Sequence, residues 1–109
     1  MSDEIFARLS TPEALLPVFV QDVQSKEVLM LAWVNAEALN KSIATRRATF
    51  WSRSRNQLWI KGESSGNVQE IVSIHFDCDA DSILFAVQSH GAACHTGERT
   101  CFYREIELS

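Results

Sequence analysis

The sequence predicts a β-rich domain, mainly of antiparallel strands, with one main helix and short N-terminal helical turns. Short runs rich in Val, Ile, Phe and Trp recur along the chain, separated by polar or glycine-containing stretches. One segment, about residues 36 to 46, keeps apolar residues at helical spacing over several turns. No helix alternates regularly with the strands, as parallel strand–helix–strand units require. The 109 residues suffice for one core, hence one domain over 1–109.

In chain order, Ser2 caps a short helix over residues 2 to 9, with Asp3 and Glu4 at its positive end. Thr11-Pro12-Glu13 repeats a helix-start signal, and Pro17 ends anything helical. Val18–Val20 and Val28–Trp33 form a hairpin across a polar loop. Asn35 caps the main helix, whose Ala36, Leu39 and Ile43 face the core while Glu37, Lys41 and Arg46 face water. Residues 48–54 and 58–60 are strands joined by an Asn56-Gln57 turn. A polar loop, Lys61 to Asn67, precedes a strand over 68–76 with Val68, Glu70, Val72, Ile74 and Phe76 on one face. Residues 83–88 return, His90-Gly91-Ala92-Ala93 turns, and 101–108 alternates as a seventh strand.

Ten basic residues against fourteen acidic ones give a net charge of −4. A general nucleic-acid or membrane-surface binder needs a basic footprint, so no nucleic acid and no membrane partner is expected. A small anionic substrate needs only a local basic pocket. The N-terminus is acidic without an apolar signal core, and no apolar run approaches the roughly 20 residues that span a bilayer. A cytoplasmic location follows as the expectation. There disulfides are rare, and three cysteines cannot all pair.

All three cysteines lie between Asp77 and Cys101. Cys94 and Cys101 are farther apart than the C-x₂₋₄-C of structural zinc sites, and Cys78 ends a distant strand. Three thiolates leave a fourth metal position open to His95 or water, the mark of a catalytic site. Spacing alone leaves open the alternative of three small buried hydrophobes. If Asp77 to Asp81 stays extended, Asp77, Asp79 and Asp81 share one face and Cys78 takes the other, which suits a hard cation on the carboxylates. A solvated acidic turn is the alternative. An EF-hand is excluded, because Ser82 and Gln88 stand where its Gly and Glu belong. Arg53, Arg55, Lys61 and Arg99 are candidate phosphate groups, and Ser64, Ser65, Gly66 and Asn67 offer a hydroxyl-rich anion nest.

The motifs Phe50-Trp51-Ser52-Arg53-Ser54-Arg55, Lys61-Gly62-Glu63-Ser64-Ser65-Gly66-Asn67, Asp77-Cys78-Asp79-x-Asp81, Ala93-Cys94-His95-Thr96-Gly97 and Cys101-Phe102-Tyr103-Arg104 come in the order found in one family. Together they resemble the phosphoribosyl-AMP cyclohydrolases of histidine biosynthesis, over residues 16 to about 104. The resemblance implies hydrolytic opening of the adenine N1–C6 bond of 1-(5-phosphoribosyl)-AMP by zinc-activated water with Mg²⁺ support. It implies Cys78, Cys94 and Cys101 as zinc ligands and Asp77, Asp79 and Asp81 as magnesium ligands. His95 is expected to handle the proton. Arg53, Arg55, Lys61, Ser64, Ser65, Gly66, Asn67 and Arg99 are expected to meet the substrate. The resemblance further implies an intertwined homodimer with the zinc site shared between chains, and a stand-alone form without a fused pyrophosphohydrolase domain. The chain departs from the family pattern at Ser25-Lys26, where Thr-Gly is usual, at Ala80, where Gly is usual, and at Ala92, where Pro is usual. If position 80 requires a positive φ, alanine strains it. A structural zinc module and a thiol redox protein are the rival classes; neither explains the aspartate triplet.

Overall fold

A computed structural model describes residues 3–108. The elements are α1 (Asp3–Arg8), β1 (Leu16–Asp22), β2 (Val28–Val34), α2 (Ala36–Thr45), β3 (Thr49–Ser52), β4 (Gln57–Ile60), β5 (Gln69–Phe76) and β6 (Ile83–Ser89). The Ser2 cap expected for α1 lies outside the described residues. Thr11 to Glu13 forms a single turn, closed by the Ala14 N–H on Thr11 O at 3.1 Å, not a second helix. Pro17 falls in β1 ahead of the ladder with β6, which starts at Val18, a strand position that tolerates proline.

Four strands form one sheet in the order β2-β1-β6-β5, and β3-β4 is a separate two-stranded ribbon. The pairings are antiparallel except for β1 with β6, which is parallel. A parallel pair needs a long crossover, and here residues 23–82, which include β2, α2, the β3-β4 ribbon and β5, supply it. One sheet face holds the core. Phe50 of β3 lies 6.0 Å centroid to centroid from Phe85 of β6 and 5.0 Å from Trp59 of β4, which seats the ribbon on the sheet. Val18, Val20, Leu29, Val34, Leu39 and Val87 complete this interior.

Asn35 caps α2 as expected, its Oδ1 accepting from the Ala38 N–H at 2.8 Å. The buried stripe is rotated from the expected one. Ala38, Leu39 and Ser42 are inside, and Ile43 is 47% exposed. The cause is polar: Ser42 Oγ donates to Thr49 O and accepts from Thr49 N–H, both at 3.0 Å, locking that face of the helix onto β3.

Strand β5 does not alternate strictly. Its pairing with β6 shifts between Ile71 and Ser73, so Val72 bulges out. The bulge lets Ile71 and Ile74 both pack on the core, although strict alternation sets them on opposite faces. The expected seventh strand over 101–108 is absent among the described residues; the segment is irregular and exposed, with Ile106 at 84% and Leu108 at 92%. Alternation marks a strand's faces but supplies no partner, and past Cys101, whose N–H bonds Leu29 O, no described strand pairs with this segment. Among the described residues no helix is long and apolar enough to cross a membrane.

The β1–β2 turn is built around Asp22, whose Oδ2 accepts from the Ser25 N–H at 2.8 Å and the Gln24 N–H at 3.1 Å. The Ser25 contact, above all, holds the Asp22 carboxyl below its ordinary range. Lys26 closes this turn at φ 66, in the left-handed region where glycine is unstrained. Lys26 is exposed, so the strain has little packing to offset it. Lys26→Gly is therefore expected to stabilise the fold by about 0.5–1 kcal/mol, a Tm rise of roughly 4 °C in thermal unfolding. A lower Tm would mean that the lysine side chain outweighs its backbone strain.

Candidate active site

Two loops at opposite ends of the four-stranded sheet carry the reactive side chains. The first is the β5–β6 turn. The Ala80 N–H donates to Asp77 O at 3.0 Å and the Asp77 N–H to Ser82 O at 3.1 Å. Asp77 Oδ1 accepts from the N–H groups of Asp81 (2.9 Å) and Ser82 (3.2 Å), and its Oδ2 from the Ser82 hydroxyl (2.8 Å). The segment is thus a turn and not the extended run whose alternation was to group the acids. The turn groups them instead: Asp77, Asp79 and Asp81 bring one oxygen each within 4.8 Å of the others. Ala80 adopts φ 58 and is fully buried, so the backbone does require a positive φ where the related pattern has glycine. Arg8 at the end of α1 donates to Asp79 O at 2.8 Å and holds the turn against the helix.

Crowding sets the charges of these acids. The Ser82 hydroxyl, then Asp81, hold Asp77 well below the usual carboxylate range. Asp81 is pushed up to about 6, first by hydrogen bonding with Asp77 and then with Asp79. An exposed, oxygen-only triplet of this kind is a donor set for a hard cation. Cys78 sits in the same turn and is exposed.

The second loop follows β6. The Ala93 N–H donates to Arg99 O, the Cys94 N–H to Glu98 O (both 3.1 Å) and the Gly97 N–H to Cys94 O at 3.0 Å. This closed loop returns Cys101 to Cys94, which explains a spacing too long for a zinc knuckle. Its exit is pinned to β2: Thr100 Oγ1 donates to Val28 O and the Cys101 N–H to Leu29 O, both at 2.7 Å. Arg99 fastens the loop to the β1–β2 turn, with Nε on Glu27 Oε1 at 2.5 Å and Nη2 at 3.7 Å from Asp22 Oδ1. Its guanidinium is engaged there and does not line the pocket beside the thiols.

That pocket, about 400 Å³, is walled by Met30, Trp59 and Ala93 and presents Cys94, His95, Cys101, Lys61, Ser65 and Asn67. The Thr96 hydroxyl donates to Cys94 Sγ at 3.0 Å and, as the main cause, lowers the Cys94 pKa. Burial pushes Cys101 up, and the charge of Cys94 adds to it. Burial lowers the pKa of Lys61, against the pull of the two thiols. Two soft sulfurs on a pocket lined by an imidazole form a donor set that fits zinc.

The remaining candidates separate. Arg55 and Ser64 line an adjoining cleft of about 560 Å³. Arg53 lies 4.5 Å over the Trp33 ring, in a third cleft of about 570 Å³ with Trp51. Trp59 lines all three. The Gly66 N–H donates to Gly62 O at 2.8 Å and the Asn67 N–H to Ser65 Oγ at 3.2 Å, so the expected nest is closed upon itself at those two groups. Cys78 is absent from the thiol pocket. Strand β6 lies between them, seven residues long, or roughly 20 Å. Sequence reading missed Thr96, Trp59, Met30 and the Glu27–Asp22 latch. Only Thr96, two residues from a candidate ligand, carried a local signal.

Comparison with known proteins gives consistent findings. The profile of the family described as phosphoribosyl-AMP cyclohydrolase matches residues 30–103. A protein of that name from Thermobifida fusca (strain YX) is 53% identical over 103 residues, covering 94% of this chain and 89% of its own. Proteins of the same name from Archaeoglobus fulgidus and Clostridium botulinum (strain 657 / Type Ba4) are 55% and 56% identical. The first of these alignments covers 87% of this chain and 88% of the relative; the second covers 86% of each.

The Thr96 contact generates a prediction for the metal-free protein. Thr96→Val removes the hydroxyl donor and is expected to raise the Cys94 pKa, slowing its alkylation by iodoacetamide near neutral pH by about threefold or more. Alkylation monitored by peptide mass spectrometry tests this; an unchanged rate would show that Thr96 does not act on the sulfur.

Proposed function

The chain belongs to the phosphoribosyl-AMP cyclohydrolase family, and from that membership we propose that it opens the adenine ring of 1-(5-phosphoribosyl)-AMP in histidine biosynthesis. Water adds at C6, the N1–C6 bond breaks, the water oxygen becomes the carboxamide oxygen, and a proton goes to N1. The observation that supports this best is the convergence of Cys94, Cys101, His95 and Lys61 on one pocket.

Cys94 and Cys101 hold zinc from one chain, and Cys78 of a second copy supplies the third thiolate. Zinc, when bound, supplies activation of water at neutral pH. His95, exposed at the thiol pocket, takes the proton from the attacking water and returns it to N1. Trp59 offers a flat apolar wall to the purine. Lys61, Ser65 and Asn67 line the thiol pocket, and Arg55 and Ser64 the cleft beside it, so a substrate with two phosphoribosyl arms can lie across both. Gly66, between Ser65 and Asn67, shapes that loop at φ 82, and Arg53 flanks the clefts from the Trp33 side. Arg99 serves the substrate indirectly, by fixing the thiol loop. Asp77, Asp79 and Asp81 carry Mg²⁺, which supplies neutralisation of phosphate charge when bound.

The homodimer rests on two supports. One is the separation of Cys78 from its co-ligands along β6. The other is the sheet face away from the core, shared by Pro17, Phe19, Leu31, Trp33, Leu84 and Ala86, on which Phe19 (41%) and Leu31 (38%) are exposed. Two such faces related by a two-fold axis crossing the strands bury apolar surface. They also carry the Cys78 turn of each copy toward the thiol pocket of the other.

An ultraviolet assay on phosphoribosyl-AMP tests the activity, with turnover expected to require zinc and to fall without Mg²⁺. Cys78→Ala and Cys101→Ala homodimers are each expected to be inactive. Refolded together, they form heterodimers with one intact site of two, and about half of wild-type activity per heterodimer returns. No rescue in isolated heterodimers would place the site within one chain.

A further inference from the structure

Lys61 follows β4, its N–H donating to Ala48 O at 3.0 Å, and only 9% of the residue is exposed. The stem is buried while the ammonium reaches the pocket, where a facing anion stabilises it. Among the described residues no carboxylate forms a salt bridge with Lys61, and the walls beside it are Met30, Trp59 and Ala93. The anionic candidates in its pocket are Cys94 and Cys101, close enough for their charges to act on it. The two thiols belong to the chain itself and are present before any substrate arrives. A phosphate could meet the ammonium only part of the time. Arg55, in the more open adjoining cleft, suits a phosphate better.

We propose that Lys61 is the counter-charge of the thiol site, a positioning residue that offsets the negative charge left when thiolates hold a divalent cation. This rests on the thiolate–zinc reading above. Three thiolates and one divalent cation leave one negative charge in excess, and the Lys61 ammonium on the wall of the same pocket offsets it. Groups just outside a metal's ligand shell tune its affinity in this way.

The test is zinc affinity, measured by competition with a chromophoric chelator, together with cobalt(II) spectra, on wild type, Lys61→Met, Lys61→Gln and Lys61→Arg. Lys61→Met keeps the volume of the buried stem, Lys61→Gln provides a second neutral variant, and circular dichroism checks folding of each. The neutral variants are expected to bind zinc at least about tenfold more weakly than wild type, with Lys61→Arg within about threefold of it. Their thiolate-to-cobalt charge-transfer band is expected to move to longer wavelength, since removing a nearby cation raises the sulfur donor levels. A merely structural role would not produce that shift with Lys61→Arg restoring it. Unchanged zinc affinity and an unchanged cobalt band in a folded neutral variant would overturn the proposal. Lost turnover alongside that result would assign Lys61 to substrate phosphate. Absence of zinc binding by wild type would instead overturn the thiolate–zinc reading on which the proposal stands.

Discussion

The length of one strand sets how far apart the two groups of candidate ligands lie. Strand β6 is central and paired on both sides, and it separates the turn holding Cys78 and the three aspartates from the loop holding Cys94, His95 and Cys101. Its backbone hydrogen bonds make that separation rigid. Sulfurs that ligate one tetrahedral cation must approach within a few ångströms, so on the proposed three-thiolate reading a rigid strand between them would confine each chain to part of a site. The parallel pairing of β6 with β1 fixes the same relation a second time. It sets the start of β1 beside the aspartate turn and the end of β1, with Asp22, beside the thiol loop.

The two ends are built by opposite means. The aspartate turn is held by its own backbone, with Asp77 accepting from three groups of the same turn and Ala80 in a strained conformation. The carboxylates are close and exposed, which suits a cation that must also reach a substrate. The thiol loop is held from outside. Thr100 and Cys101 bond to β2, and Arg99 reaches Glu27 and Asp22 on the β1–β2 turn. Asp22 thus ties three things together: its own turn, the arginine latch and, through that latch, the cysteine pair.

How much of this was legible in the sequence depends on whether the determining interaction is local. The Asn35 cap, the hairpins and the return strands were readable because their signals lie within a few residues of the structure they cause. The grouping of the three aspartates was readable in outcome, although the expected cause, strand alternation, gave way to a turn set by hydrogen bonds to Asp77. Other features were not readable. The bulge at Val72 depends on register with β6, and the rotation of α2 depends on Ser42 meeting Thr49 seven residues away. The alternating tail, residues 101–108, shows that periodicity states which faces a strand would have without supplying a neighbour to pair with. Among the site residues, Arg99 looked like a phosphate group because its charge is visible in the sequence and its Glu27 partner, 72 residues distant, is not.

A site divided between the ends of one sheet should exist only where two chains meet, and zinc stoichiometry by oligomeric state measures this most directly. Native mass spectrometry of the zinc-loaded protein, with sedimentation at the same concentrations, is expected to find two zinc ions on the dimer and none retained by monomer on dilution. A monomer that keeps one zinc, and loses it when any one of Cys78, Cys94 or Cys101 is replaced, would contradict the shared site.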